Sequence, residues 1–152
     1  MAETILIRAF DALDTRSLYA ILKLRFDVFI LEQESFYPEL DDQDQTALHL
    51  TAHRGADLVG VLRILPADPV SIGRVAVARD ARSGGLASRM MQAALAHIEA
   101  DWPDRRIKLG AQQHLEAFYA RFGFTRCSDI YDDGGIPHVD MVRDPNRTAR
   151  MV

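Results

Sequence analysis

Residue type and spacing first suggest chemistry in Arg82-Ser83-Gly84-Gly85-Leu86-Ala87. An alternating run over residues 72–78 reads as a strand, and from Leu86 onward Ala, Leu and Met recur at helical spacing, so these six residues join a strand to a helix. Gly84 and Gly85 let the backbone bend where a Cβ would clash, and consecutive N–H groups can then point into one concavity at the positive end of the helix dipole. Such a concavity suits phosphate. Two common phosphate loops are excluded, because no Lys follows the glycines and the Gly-x-Gly-x-x-Gly spacing is absent. A second stretch of interest carries Glu32, Glu34, Glu39, Asp41, Asp42 and Asp44 around Phe36, Tyr37 and Pro38. It is either a solvated face or a binding loop whose carboxylates concentrate a cationic amine and whose rings hold its alkyl or ammonium part.

The elements that must position these groups follow from pattern. Thr4–Ala9 alternates as a first strand, and Asp14 or Thr15 can cap the next helix. Along that helix Leu18, Ile21, Leu22, Phe26 and Phe29 form a stripe. Arg25 lies inside the stripe, sharing its face with Phe29 and Glu32, either as a snorkelling side chain or as part of a site. Pro38 prevents one continuous helix. Residues 46–53 and 58–65 read as a hairpin, and residues 71–78 as a third strand that delivers the chain to the glycine loop. The helix after Gly85 carries Met91, Leu95, Ile98 and Trp102 on one side and stops at Pro103. A strand over residues 107–111 completes a parallel β-α-β unit. A helix over residues 113–122 places Leu115, Phe118, Tyr119 and Phe122 on one stripe and ends at Gly123 in the left-handed conformation. Residues 124–131 and 136–143 read as a strand pair, followed by a loose tail over residues 144–152.

With 152 residues, 48% of them apolar, the chain can bury the core of one globular domain, expected over residues 1–143. A net charge of −4 argues against a nucleic-acid partner and suits a cationic small molecule. Cys127 is the sole cysteine, so neither an internal disulfide nor a thiolate cluster can form, and the five histidines lack zinc-ligand spacing, so no metal is expected. No apolar run reaches signal-peptide or membrane-span length, and the expectation is a cytoplasmic enzyme with no membrane partner. Periodicity leaves monomer and homodimer both open.

The pattern Arg82-x-x-Gly85-x-Ala87 resembles the acyl-CoA pyrophosphate loop of the GNAT superfamily of N-acyltransferases, Arg/Gln-x-x-Gly-x-Gly/Ala. Phe118-Tyr119-Ala120-Arg121-Phe122-Gly123-Phe124 resembles the family's second motif, and the order of elements resembles the whole fold. More narrowly, Arg25, Val28-Phe29, Glu32-Gln33, Tyr37, Asp41, Asp44, His49, Gly73-Arg74-Val75, Leu109-Gly110-Ala111-Gln112, His114-Leu115 and Ile136-Pro137-His138 resemble the ElaA-like subgroup, with departures at Ser35, Phe36 and Asp42 where Cys, Pro and Gly are expected. The resemblance implies an α/β (α+β) fold: a mixed, mostly antiparallel central sheet, a parallel β-α-β unit at the loop, and helices on both faces. It implies acetyl-CoA as acyl donor and a small-molecule or peptide amine as acceptor.

Site roles follow from that resemblance. Two strands splay at a bulge, the pantetheine arm pairs with Val75, Ala76 and Val77, and the Ala76 and Val77 amides become candidates for polarising the thioester carbonyl. Arg82, Ser83, Gly84, Gly85, Leu86, Ala87 and Ser88 surround the pyrophosphate, and Tyr119 contacts the CoA sulfur. A phenol is a weaker acid than a thiol, so hydrogen-bond donation is the role expected of Tyr119. Independently of the resemblance, an acceptor amine must be neutral to attack, and Glu32 and His49 are the candidate bases, at either end of the acidic stretch, with His138 a third. Arg25, Phe29, Glu32, Tyr37 and His138 are expected around the acceptor. An autoinducer-synthase-like acyltransferase and a CoA-binding sensor without chemistry are the alternatives.

Overall fold

A computed structural model describes residues 3–145 of the protein, so from residue 146 onward the expected tail lies outside the described residues. The strands are β1 (Thr4–Ala9), β2 (Leu48–Arg54), β3 (Asp57–Leu65), β4 (Val70–Val77), β5 (Ile107–Gln112), β6 (Thr125–Arg126), β7 (Tyr131–Asp133) and β8 (Ile136–Arg143), and the α-helices are α1 (Thr15–Arg25), α2 (Leu86–Asp101) and α3 (Glu116–Ala120). One sheet runs in the order β1-β2-β3-β4-β5-β8-β6, with β7 also on β8. Only β4 and β5 pair in parallel, the β-α-β unit expected around α2.

Alternation along β3 decides which helix covers which face. Val61 packs with Ile21, Leu24, Val28 and Phe29 from the α1 side, while its neighbour Leu62 packs with Met90, Met91, Ala94 and Ile98 from α2. The helices therefore cover opposite faces. Asp14 starts α1 as a cap, its carboxylate accepting from the Ser17 N–H at 2.7 Å.

The feature that makes a site is a bulge in β4. Arg63 stands opposite Gly73 and Val61 opposite Ala76, so three steps on β4 face two on β3, and Arg74 takes up the extra residue at φ 51°. The bulge flips the strand's faces, so that Ile72 points to the α2 cluster and Ala76 to the α1 cluster. Beyond Val70↔Ile107 and Ser71↔Lys108, β4 and β5 no longer pair and the sheet opens.

Three expectations need correction. Leu18, Leu22 and Phe26 are only half-buried, and the side chains that go inward are Ile21, Leu24, Arg25, Val28 and Phe29. The inward face is the one that meets β3 and β4, where Ile21, Leu24, Val28 and Phe29 pack with Val61 and Ala76; from Phe26 the helix also widens into a π-helical stretch to Glu32, where the Gln33 N–H reaches back five residues to Val28 O at 3.0 Å. This wider turn carries Glu32 off the face of Arg25. The strand expected over residues 124–131 is two short strands, because past Arg126 the Cys127 and Asp140 backbones pair and Ser128 Oγ accepts from the Asp140 N–H. The helix expected from residue 113 opens as a 3-10 turn over Gln113–Leu115 before α3, and Gly123 ends it at φ 89° as expected. No helix among the described residues is long and apolar enough to cross a membrane.

Candidate active site

Where β4 and β5 part, a groove of about 750 Å³ runs from β4 past the glycine loop and the first turn of α2 to α3. The loop's left-handed residues are Ser83 (φ 72°) and Gly85 (φ 78°), not the pair of glycines. Gly85 is the N-cap of α2 and no side chain caps that end, which leaves first-turn N–H groups for a ligand. Arg89, one turn into α2, donates to Gly84 O at 2.9 Å and to Glu3 at 2.7 Å, so the loop's carbonyl is tied on the helix side. Val75, Ala76, Val77, Arg82, Ser83, Gly85, Leu86, Ala87, Ser88 and Tyr119 all border this groove; Gly84 does not.

Ladder alternation sorts the β4 amides. The Ala78 N–H bonds Val59 O in the β3 ladder, so in the same alternation Ala76 N–H also faces β3 and Val77 turns its N–H and C=O to the open side. The Ala76 amide is therefore taken by the sheet, and Val77 is the one positioned to meet a carbonyl. Val77 O accepts from Arg82 Nε at 3.0 Å. The rest of the Arg82 guanidinium grips both carboxylate oxygens of Glu32, at 2.7 and 2.8 Å. That hydrogen-bonded cation holds the Glu32 carboxyl below its ordinary range, which makes Glu32 a poor proton acceptor.

A second cavity of about 220 Å³ lies under the π-helical turn, on the sheet face formed by β5 and the β7–β8 hairpin. Phe29, Tyr37 and His138, the residues expected around an acceptor, border it, with Arg74, Gln33 and Asp133 besides. It shares Gln33, Val75, Gln112, Leu115, Tyr119 and Ile136 with the groove, so the two spaces meet. Gln112 donates to Gln33 at 3.1 Å across the junction. Tyr119 is 6% exposed, wedged edge-on against Phe118 and Phe124, and burial pushes its phenol up to about 12. Among the described residues its hydroxyl has no hydrogen-bond partner.

His138 is oriented by its own hairpin. Its Nδ1 lies 2.8 Å from Ile136 O, and a carbonyl can only accept, so Nδ1 carries the proton and neutral His138 keeps its lone pair on Nε2. The ring stacks on Tyr131, whose hydroxyl donates to Asp140 at 2.6 Å. Ser35 Oγ donates to Gly134 O at 2.8 Å and ties the acidic loop to the hairpin turn. A Cβ at Gly134 would overlap that hydroxyl.

Within the acidic run the structure overturns the expected roles. Glu39, Asp41 and Asp44 turn inward onto three arginines: Arg25 bonds Glu39 at 2.6 Å and Asp44 at 2.8 Å, Arg63 bonds Asp44 at 3.0 Å as well as Asp41, and Arg74 bonds Glu39 at 2.6 Å. The Arg63 hydrogen bonds hold Asp41 down at about 2, and in Asp44 the pull of Arg25 and Arg63 outweighs an opposing effect of burial. Arg25, 1% exposed, borders neither cavity, because its guanidinium organises the loop from below. His49 is likewise 1% exposed and away from both cavities, with Nε2 at 2.9 Å from Asp44 O and its pKa lowered by burial. Neither is placed to touch an acceptor. Tyr37 does border the cavity, but Arg74 lies over one face of its ring at 5.1 Å and its hydroxyl donates to Glu39, so one face is already taken by a cation of the protein.

Sequence reasoning passed over Gln33, Arg74, Gln112 and Asp133 as site residues. The first three stand within the subgroup-like motifs, a signal that was present; Asp133 reads as an ordinary turn former.

The acetyltransferase (GNAT) domain family matches residues 19–144 of this chain. Protein ElaA of Escherichia coli (strain K12) is 38% identical over 138 residues, covering 87% of this chain and 90% of ElaA. The crystal structure of Escherichia coli ElaA superposes with a TM-score of 0.89 at 34% identity, covering 93% of this chain and 99% of that one. An acyl-CoA N-acyltransferase from Pseudomonas aeruginosa superposes with a TM-score of 0.88 at 36% identity and the same coverage, 93% and 99%.

Proposed function

The chain belongs to the GNAT acetyltransferase family, in its ElaA-like subgroup, and from that premise we propose that it moves an acetyl group from acetyl-CoA to a primary amine by direct attack in a ternary complex. The observation that carries this reading is the junction of groove and pocket at Tyr119, Gln112 and Gln33, where a thioester in one space meets an amine in the other.

The pyrophosphate sits on the loop from Ser83 and on the first N–H groups of α2, where the helix dipole and unpaired donors favour an anion. The pantetheine arm runs along the open side of β4 and brings the thioester carbonyl to the Val77 N–H, a donor fixed before charge develops. An alkylamine of pKa near 10.4 is protonated at pH 7, and reaching the free base costs about 5 kcal/mol. His138 Nε2 is the group positioned to take that proton. The amine nitrogen then bonds the carbonyl carbon, the C–S bond breaks with its electron pair leaving on sulfur, and the second proton that the nitrogen sheds on becoming an amide passes to the thiolate to give free thiol. Tyr119 donates a hydrogen bond to that sulfur. Full transfer from a phenol at about 12 to a thiolate whose thiol has a pKa near 8.5 would be uphill by about 5 kcal/mol, so Tyr119 stabilises the leaving group without losing its proton.

The test is release of free thiol from acetyl-CoA by purified protein with and without a panel of primary amines, with mass analysis of each amine. Release that requires an amine, and an amine heavier by one acetyl group, is the expected result. Binding of CoA with no release for any amine would favour the sensor.

A further inference from the structure

Resting on that acyl-transfer reading, we propose that the acceptor is a small alkyl diamine whose reacting nitrogen lies at His138 and whose second ammonium is received by Asp133. The pocket is small, about 220 Å³, against roughly 300–1,000 Å³ for sites that take drug-sized ligands. The ionic cluster beside it is engaged with itself, and of that cluster only Arg74 borders the pocket. Glu39, Asp41 and Asp44 balance Arg25, Arg63 and Arg74, three carboxylates against three guanidiniums. Arg74 reaches the pocket wall already bonded through Nε to Glu39 and through Nη2 to Asp41, so it is a compensated cation and a weak anchor for a substrate carboxylate. Asp133 is different: among the described residues it is the carboxylate on this pocket with no ion pair. The second group of the acceptor should therefore be positive.

Register sets the length. Tyr131 pairs with His138 and Asp133 with Ile136, so all four side chains share one face of the β7–β8 hairpin. Asp133 and His138 are diagonal neighbours on that face, with Cβ atoms roughly 7 Å apart. Three to five methylenes separate the nitrogens of a diamine by roughly 5 to 7.5 Å, from bond lengths near 1.5 Å. Ile136, directly across from Asp133, gives the methylenes an apolar floor. In the reaction only the nitrogen at His138 is deprotonated, giving one proton to His138 before attack and a second to the departing thiolate as it gains the acetyl group and the C–S bond breaks; the nitrogen at Asp133 stays an ammonium throughout.

The experiment compares kcat/KM, by thiol release, for 1,3-diaminopropane, 1,4-diaminobutane and 1,5-diaminopentane, for propylamine, butylamine and pentylamine, and for ω-amino acids of matching length. Wild type should favour each diamine over its matched monoamine by about tenfold or more, the size of a hydrogen-bonded ionic contact, with the ω-amino acids poorest. Asp133→Asn should bring that ratio toward one, and Asp133→Glu should move the optimum to a shorter diamine. A wild-type ratio near one, a preference for the ω-amino acids, or a diamine preference that survives in Asp133→Asn would overturn the proposal while leaving acyl transfer standing. No transfer to any amine by a protein that binds acetyl-CoA would overturn both.

Discussion

At the scale of single residues, environment assigns roles that residue type leaves open. Three acid–base candidates of similar chemistry end in different places: Glu32 clamped by Arg82, His49 sealed beneath the acidic loop, and His138 at the pocket with its tautomer set by Ile136 O. Glu32 has a depressed pKa, so its pairing is complete above the ordinary carboxylate value near 4.3 and dissolves only as pH falls through the lowered one. It is ionised throughout the range in which an amine acetyltransferase works. Glu32→Gln should therefore weaken CoA binding, measured by calorimetry, while the pH–rate profile keeps its shape; loss of the profile's acidic limb would return Glu32 to the role of base. Tyr119→Phe should lower kcat by about a hundredfold, the lower end of what loss of one preorganised donor costs, with CoA affinity retained. Unchanged turnover would remove Tyr119 from the mechanism.

At the scale of elements, two devices hold the site. The first is the loop opening α2. Gly85 stands at φ 78°, and a Cβ there would lie 3.3 Å from Arg89 Nη1, so Gly85→Trp both strains the turn and fills the anion concavity. It should abolish CoA binding in calorimetry, and normal binding would contradict the assignment of the loop. The second is the buried ionic cluster beneath residues 33–44. Arg25→Leu takes one of two arginines from each of Glu39 and Asp44, which keep Arg74 and Arg63; breaking a buried pair outright costs about 3–5 kcal/mol, and a loss up to that size is expected in denaturant unfolding. Acid should act on the same cluster. Asp41 and Asp44 both have folded-state pKa values below their unfolded ones, so their contribution is fully present above about pH 4 and is lost as pH falls toward about 2. His49, lowered by burial, adds a loss that begins below its ordinary value near 6.5. Stability that stayed flat from pH 6 to pH 3 would contradict the cluster's role.

The same elements explain what was legible beforehand. The β1 strand, the Asp14 cap, the β2–β3 hairpin and the Gly123 stop were readable because each is decided by local alternation, capping or backbone sterics. The π-helical turn was not, because it is the packing of Val28 and Phe29 against Val61 and Ala76 that goes with one extra residue in the turn. Arg25 looked like a site residue for a related reason. A polar side chain inside an apolar stripe has the same signature whether its partner is a ligand or, as here, carboxylates 14 and 19 residues further along the chain.

At the scale of the molecule, the β4 bulge and the two-residue pairing of β4 with β5 turn one sheet into two adjoining compartments. The groove and the pocket meet along shared walls that include Tyr119 and Gln112. Two spaces that meet in this way have room for donor and acceptor together, as the proposed direct transfer requires. It also leaves the exposed Cys127 out of the path, since Cys127 borders neither compartment and cannot carry an acyl group between them. The central claim is direct transfer in a ternary complex, and its most direct measurement is the initial rate of thiol release as acetyl-CoA and amine are varied against each other. Double-reciprocal lines that converge, with no release when amine is omitted, are the predicted result. Parallel lines, or a burst of thiol in the absence of amine, would mean an acyl-enzyme intermediate and would contradict it.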